Sequence, residues 1–226
     1  MKIGIIGTGN MGRTLGIVWA EQGHEVFFGS RDAQKGKQSA QFAGHGTKGG
    51  TNDEAAAFGE VILYTARGVM PSALLTSNNV LAGKTLIDCN NWDIPEGYTY
   101  EPIVESLAEK LAADIPQTHV VKAFNTMAQE VFELSPSTLK DYHVSCFICG
   151  DNEQARRAVM ALATDIGFSP VDCGPLRSAR MIEGLGNFIR FMMGGMKLGS
   201  YATISVNTIP ASQQQRLGGR QPSSLK

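Results

Sequence analysis

What this sequence lacks narrows its chemistry before any motif is considered. It has no uninterrupted apolar run of about 18 residues, so no membrane-spanning helix is expected. Its 20 basic and 21 acidic residues leave a net charge of −1. Without a surplus of cations, no nucleic-acid partner is expected either. Only four cysteines occur, Cys89, Cys146, Cys149 and Cys173, each in an apolar segment. Cys146-x-x-Cys149 has the spacing of a metal or redox pair, but strand residues three apart point to opposite faces. All four therefore read as small buried residues, and no metal is expected. No nucleophile–base–acid set, metal-ligand spacing or paired carboxylates stand out, so no side chain is assigned as catalyst. Met1 leads directly into an apolar strand with no room for a signal peptide, from which a cytoplasmic location is expected.

What is present is organised around the first twelve residues, Met-Lys-Ile-Gly-Ile-Ile-Gly-Thr-Gly-Asn-Met-Gly. At 226 residues and 42% hydrophobic content the chain can build one substantial core and a small second unit. Ile3, Ile5 and Ile6 suit a central parallel strand buried on both faces. Gly7-x-Gly9-x-x-Gly12 is the spacing of a dinucleotide-binding loop. Gly7 permits the turn out of the strand, Gly9 lets a pyrophosphate approach the backbone, and Gly12 lets the next helix pack close to the sheet. The N–H groups of Thr8, Gly9, Asn10, Met11 and Gly12 then stand at a helix N-terminus, where anions are favoured. Residues 13–23 are expected to be that helix, with Gly23 as its stop. A second strand, Glu25 to Gly29, ends at Ser30-Arg31. An acidic residue there would accept bonds from a ribose 2′-hydroxyl, whereas a hydroxyl and a guanidinium suit a 2′-phosphate. NADP(H) is thus the expected cofactor, with Lys35 and Lys37 as further charges and Asp32 as a helix cap.

The rest of the chain continues the pattern. A helix over 32–43 leads to the glycine-rich stretch 44–50, with a short strand around Thr47, and Asn52 or Asp53 caps a brief helix ending at Gly59. Val61 to Thr65 is the next strand, and Thr65, Ala66 and Arg67 should flank the glycine loop. Lys84 to Asn90 is another strand, with Asn90 at its ligand edge. A helix over 101–113 should bury Ile103, Val104, Leu107 and Leu111. His119 to Asn125 and Val144 to Cys149 read as strands, Asp151-x-x-Gln154 as a capping box before a helix stopped by Gly167, and Phe168 to Asp172 as a short extended piece. One long helix over 178–199 carries two apolar stripes, Met181-Leu185-Phe188-Met192 and Ile182-Ile189-Met193-Met196, wide enough to pack on the sheet and on a second copy of the chain. The expected fold is α/β, a doubly wound Rossmann-type parallel sheet over 1–150 with a small, mainly helical C-terminal unit over 151–209. That second unit would supply the substrate pocket and a homodimer contact. The Gln/Ser/Gly-rich stretch 210–226 is expected to be a mobile tail.

On Gly9-Asn10-Met11-Gly12, Gly23-His24-Glu25-Val26, Gly29-Ser30-Arg31, Cys149-Gly150-Asp151 and Asp172-x-Gly174-Pro175-Leu176 with Ser178, Arg180 and Glu183, the chain resembles the coenzyme F420-dependent NADP oxidoreductases. The resemblance runs to about residue 200. It implies direct hydride transfer between the nicotinamide and a flat deazaflavin ring, with the protein binding and orienting two stacked rings. Where the archaeal members place a histidine after the sixth strand, this chain has Asn125. The string Lys122-Ala123-Phe124-Asn125-Thr126-Met127 is similar instead to the cytosolic domain of six-transmembrane metalloreductases, which pass electrons from NADPH to a flavin. The small-molecule acceptor, F420 or a flavin, is expected between Thr65-Ala66, Asn125, Thr126 and Met127 and the last helix. Two further readings stay open. A reductase of the β-hydroxyacid or imine type usually has a longer second domain, and a non-catalytic NADP(H)-binding sensor would not need to cover the nicotinamide.

Overall fold

Alternation along β1 (Lys2–Ile6) sends Ile3 and Ile5 to one face of a sheet and Ile6 to the other, as the two-residue repeat of a strand requires. The structure, a computed structural model, describes residues 1–209; the expected mobile tail lies outside the described residues. Around β1 stand β2 (Glu25–Ser30), β3 (Lys48–Thr51), β4 (Val61–Tyr64), β5 (Thr85–Asp88), β6 (His119–Lys122), β7 (Ser145–Gly150) and β8 (Ser169–Asp172). Their order across the sheet is β3-β2-β1-β4-β5-β6-β7-β8. All pairs are parallel except β6 with β7. The fold is thus the doubly wound Rossmann-type arrangement, and the strand order reverses between β1 and β4, where such sheets open a ligand crevice at the carboxyl edge.

Each face of the sheet carries its own core. On one side α1 (Asn10–Glu21) and α6 (Glu153–Asp165) bury Leu15, Trp19, Val159 and Leu162 against Ile3, Ile5 and Phe28. The Trp19 indole N–H donates to the Leu162 carbonyl at 3.2 Å, so the two helices are also joined by a buried bond. On the other side α3 (Asn52–Phe58), α4 (Leu107–Asp114) and α7 (Ala179–Arg190) bury Ala56, Leu111 and Ile182 with Ile6, Ile62 and Leu86. Cys146 belongs to the first core and Cys149 to the second, so the Cys-x-x-Cys spacing makes no pair. Cys173 is only half-buried. No helix among the described residues is long and apolar enough to cross a membrane.

Several elements differ from expectation, each for a local reason. The first helix begins at Asn10, three residues early, because its opening turn grows directly out of the glycine loop and Gly9 accepts from the Arg13 N–H. Thr51, not Asn52 or Asp53, caps α3 in a capping box with Glu54. The helix expected over 101–113 starts only at Leu107, where Ser106 and Glu109 form another capping box; Val104 lies in the preceding loop, 80% exposed. Asn152 rather than Asp151 caps α6, because the Asp151 carboxylate accepts instead from the Leu176 N–H. The strand at 119 stops at Lys122, since Phe124 turns into the left-handed region at φ 59°. A short helix, α5 (Pro136–Asp141), was not anticipated although Ser135 and Pro136 are a normal helix start. The last helix ends at Arg190 in a π turn, Phe191–Gly195, rather than running to Gly199. The extended piece near 168 is β8, which pairs with β7, so α6 and β8 continue the sheet beyond residue 150.

Close packing makes one glycine testable. A Cβ on Gly12 would stand 2.1 Å from the Gly7 carbonyl oxygen, whereas one on Gly184 of α7 meets nothing within 4 Å. Gly12→Ala is expected to cost about 1–3 kcal/mol in urea unfolding through overpacking. Gly184→Ala should instead gain about 0.5–1 kcal/mol from the lost glycine entropy.

Candidate functional site

The carboxyl edge at the β1/β4 reversal is shaped by backbone before side chains enter. Gly7 leaves β1 at φ 105°, and its N–H donates to the Gly29 carbonyl at 3.1 Å. The Thr65 hydroxyl donates to the Ile6 and Gly7 carbonyls at 3.2 and 3.0 Å, which holds the end of β4 against the loop. Gly9 has nothing within 4 Å of the position its Cβ would take, so the loop backbone is open to a ligand. A cavity of about 420 Å³ lies above it, walled by Gly7, Thr8, Gly9, Ser30, Arg31, Lys35, Thr65, Ala66 and Arg67, together with Asn52. Among the described residues three cations face this cavity and no carboxylate does. Asp32 is turned away, its carboxylate accepting from the Gln34 N–H at 2.9 Å as the cap of α2 (Ala33–Ala43). Lys37 and Asn10 do not line the cavity; the Asn10 side chain accepts from Arg13 on the other side of α1. Gly12 lies beneath the loop. Asn52 was expected only as a cap, yet its buried Oδ1 has no hydrogen-bond partner among the described residues.

A second cavity of about 400 Å³ adjoins the first, and Thr65 and Arg67 belong to both. Asn125 and Met127, expected at the acceptor, line it, while Thr126 is buried beneath and does not; Met11 and Asn90, expected at the cofactor, line this cavity and not the first. Ala66 faces only the first cavity. Cys89, Asn91, Phe124, Gln129, Ile189, Arg190 and Met193 complete the wall. Burial pushes the Cys89 thiol up to about 12, so it stays protonated and is no nucleophile. Asn125 is a strut as much as a wall: its amide donates to Asn91 Oδ1 at 2.9 Å and to the Ile182 carbonyl at 3.2 Å, and Asn91 donates back to the Asn125 carbonyl at 2.7 Å. Gly186 permits this meeting, because a Cβ there would stand 2.5 Å from Asn91 Oδ1.

Beneath both asparagines lies a charge cluster that no short motif announced. Lys122 Nζ is 2.8 Å from Asp88 and 3.0 Å from Glu183, with all three side chains fully buried, and it also donates to the Asn90 carbonyl. Asp88 Oδ1 accepts from the Asn90 backbone and side chain at 3.0 and 2.8 Å, which sets the turn after β5. Glu183 accepts from the Leu107 and Ala108 N–H groups at 3.0 and 3.3 Å, at the N-terminus of α4. Burial alone would pull the Lys122 ammonium down, but Asp88 and Glu183 outweigh it and hold it above the ordinary lysine value. Its contribution to stability is therefore constant through neutral pH and is lost only as pH rises through that raised value, beyond the ordinary lysine range. Lys122→Met would leave two carboxylates buried together, and a loss of about 3–5 kcal/mol in urea unfolding is expected. Arg157→Met, which removes an exposed pair with Glu153, should change stability by less than about 1 kcal/mol.

Known proteins are similar to this chain in sequence and in fold. The family described as NADP oxidoreductase, coenzyme F420-dependent, matches residues 2–92. The F420-dependent NADP reductase of Methanothermobacter marburgensis is 33% identical over 207 residues, covering 81% of this chain and 88% of that protein. A crystal structure from Arthrobacter sp. FB24, named as a candidate F420-dependent NADP reductase, superposes with a TM-score of 0.77 at 26% identity, over 92% of this chain and 100% of that one. The metalloreductase STEAP2 of Homo sapiens is 32% identical over 185 residues, which is 82% of this chain; the chain spans 36% of that protein's length. With a relative this similar aligned along most of both lengths, the chain belongs to the F420-dependent NADP oxidoreductase family.

Proposed function

We propose that this enzyme binds NADP(H) in the glycine-loop cavity and exchanges hydride with a flat two-electron ring, coenzyme F420 first, in the adjoining cavity. One observation carries the reading: two cavities meet at Thr65 and Arg67, the first ringed by Arg31, Lys35 and Arg67 with no carboxylate. The residues fit the cofactor. The open backbone at Gly9 suits a pyrophosphate, Ser30 and Arg31 suit a 2′-phosphate, and the unpartnered Asn52 Oδ1 suits a donor on the adenosine side. When bound, the nicotinamide supplies the hydride chemistry; the chain's own part is to place and enclose the two rings. Met11, Met127, Ile189 and Met193 give apolar walls that exclude water, and Asn91 and Asn125 hold them in register. No side chain is assigned as nucleophile.

In this reading the 1–150 part holds the cofactor, and the 151–209 part adds α7 to the acceptor cavity and to a contact with a second copy. Met181 and Phe188, on the outward stripe of α7, are 79% and 50% exposed, which supports a homodimer. A flavin as acceptor is the second reading, favoured by the similarity to STEAP2.

Stopped-flow mixing of the NADPH complex with oxidised F420, and in parallel with FMN, tests the acceptor. Oxidation with F420 alone supports the first reading, oxidation with FMN alone the second, and tight NADPH binding without either reaction overturns both. Arg31→Ala tests the phosphate assignment: KM for NADPH should rise about 10- to 100-fold while KM for NADH stays near its original value, as loss of about 1.5–3 kcal/mol of charge-assisted bonding requires. An unchanged NADPH/NADH ratio would refute the assignment.

A further inference from the structure

We propose that Arg190 makes the acceptor cavity an anion-selecting site, fitted to a pyrimidinedione ring that carries negative charge once it holds the transferred hydride. This rests on the acceptor reading above. Arg190 closes α7 immediately before the Phe191–Gly195 π turn, a kind of interruption that often marks functional positions. Its side chain lines the cavity beside Asn91, Asn125 and Met193, and one of its N–H groups donates to the Trp92 carbonyl. Among the described residues no carboxylate lies within ion-pair distance of it. Asp93, which could have neutralised it, is paired with Arg67.

The electrostatic balance of the cavity is one-sided. Among the described residues two guanidiniums line it, that of Arg67, which is paired with Asp93, and that of Arg190, which has no carboxylate partner, and no acidic side chain does. Burial pulls the Arg190 guanidinium below its ordinary value and Arg67 adds to this, against the opposing influence of Tyr100 and Asp93. Arginine remains charged through such a shift, so the site holds a partly desolvated cation in want of an anion. The family's reaction creates one. Transfer of a proton with two electrons from the neutral dihydronicotinamide leaves a nicotinamide cation and gives the acceptor ring one negative charge, spread over its N–C=O edge until solvent supplies a proton. A fixed guanidinium in a water-poor cavity stabilises that charge more than it stabilises the neutral ring, which favours transfer toward the acceptor.

The test uses the full chain saturated with NADP+, with two small probes and a kinetic assay. Orotate, a planar pyrimidinedione monoanion, and uracil, its neutral parent, are titrated calorimetrically into the wild-type protein, Arg190→Lys and Arg190→Gln. The wild type should hold orotate at least about tenfold tighter than uracil, Arg190→Gln should abolish that preference, and Arg190→Lys should retain part of it. NADP+ affinity should stay within about twofold in all three, which also shows that the variants are folded. With F420, kcat should fall about 10²- to 10³-fold in Arg190→Gln while KM for NADPH is unchanged. An orotate preference that is absent from the wild type, or that survives Arg190→Gln, overturns the inference. So does a parallel loss of NADP+ affinity, which would give Arg190 to the cofactor phosphates. If F420 and FMN both fail to react with the wild type while orotate binding depends on Arg190, the acceptor reading falls and the anion site stands.

Discussion

A single buried ammonium joins three distant parts of this chain. Lys122 at the end of β6 meets Asp88 at the end of β5 and Glu183 in α7, and none of the three side chains reaches solvent. Such a cluster contributes less to net stability than its short distances suggest, because each charge is first stripped of water. Its structural value is specificity. Lys122 also holds the Asn90 carbonyl, Asp88 holds the Asn90 amide, and Glu183 caps α4. The turn after β5, the start of α4 and the position of α7 therefore depend on one another, and the first and last of these line the second cavity.

The same economy of charge runs along the carboxyl edge. Every acidic side chain near the crevice is engaged elsewhere: Asp32 caps α2, Glu54 closes the capping box of α3, Asp88 and Glu183 share Lys122, and Asp93 meets Arg67. Arg31, Lys35 and Arg190 face the cavities with no carboxylate partner among the described residues, beside the Asp93-paired Arg67. A chain with a net charge of −1 thus presents a locally cationic cleft, of the kind that suits a ligand carrying phosphate groups. Arg67, which borders both cavities, spans the boundary between them.

Features that act within a few residues of chain were readable in advance. The β-branched run, the Gly7-x-Gly9-x-x-Gly12 spacing and the cap at Asp32 each work through backbone geometry within one turn or strand, so composition and spacing suffice to describe them. Helix starts were less legible where two polar residues competed for one cap. Thr51 displaced Asn52 because Glu54 completes its capping box, and Asp151 was drawn away to the Leu176 N–H. Residues 103 and 104 have helical spacing, but the capping box at Ser106 starts the helix after them. The long apolar stretch near the end of the chain was read as one helix because periodicity does not reveal a π turn.

Local pattern therefore specified a Rossmann-type sheet and its glycine loop, both consequences of short-range sterics and of the residue types at the ends of β1 and β2. The second cavity was decided by tertiary contacts. Asn91 meets Asn125 across 34 residues of chain, Asn125 meets the Ile182 carbonyl across 57, and Arg190 reaches the carbonyl of Trp92 across 98. Bonds of that range depend on which strands neighbour each other and on where α7 returns to the sheet. No spacing rule records such distances, so Asn91 and Arg190 join Asn125 and Met127 around this cavity only when the chain is folded.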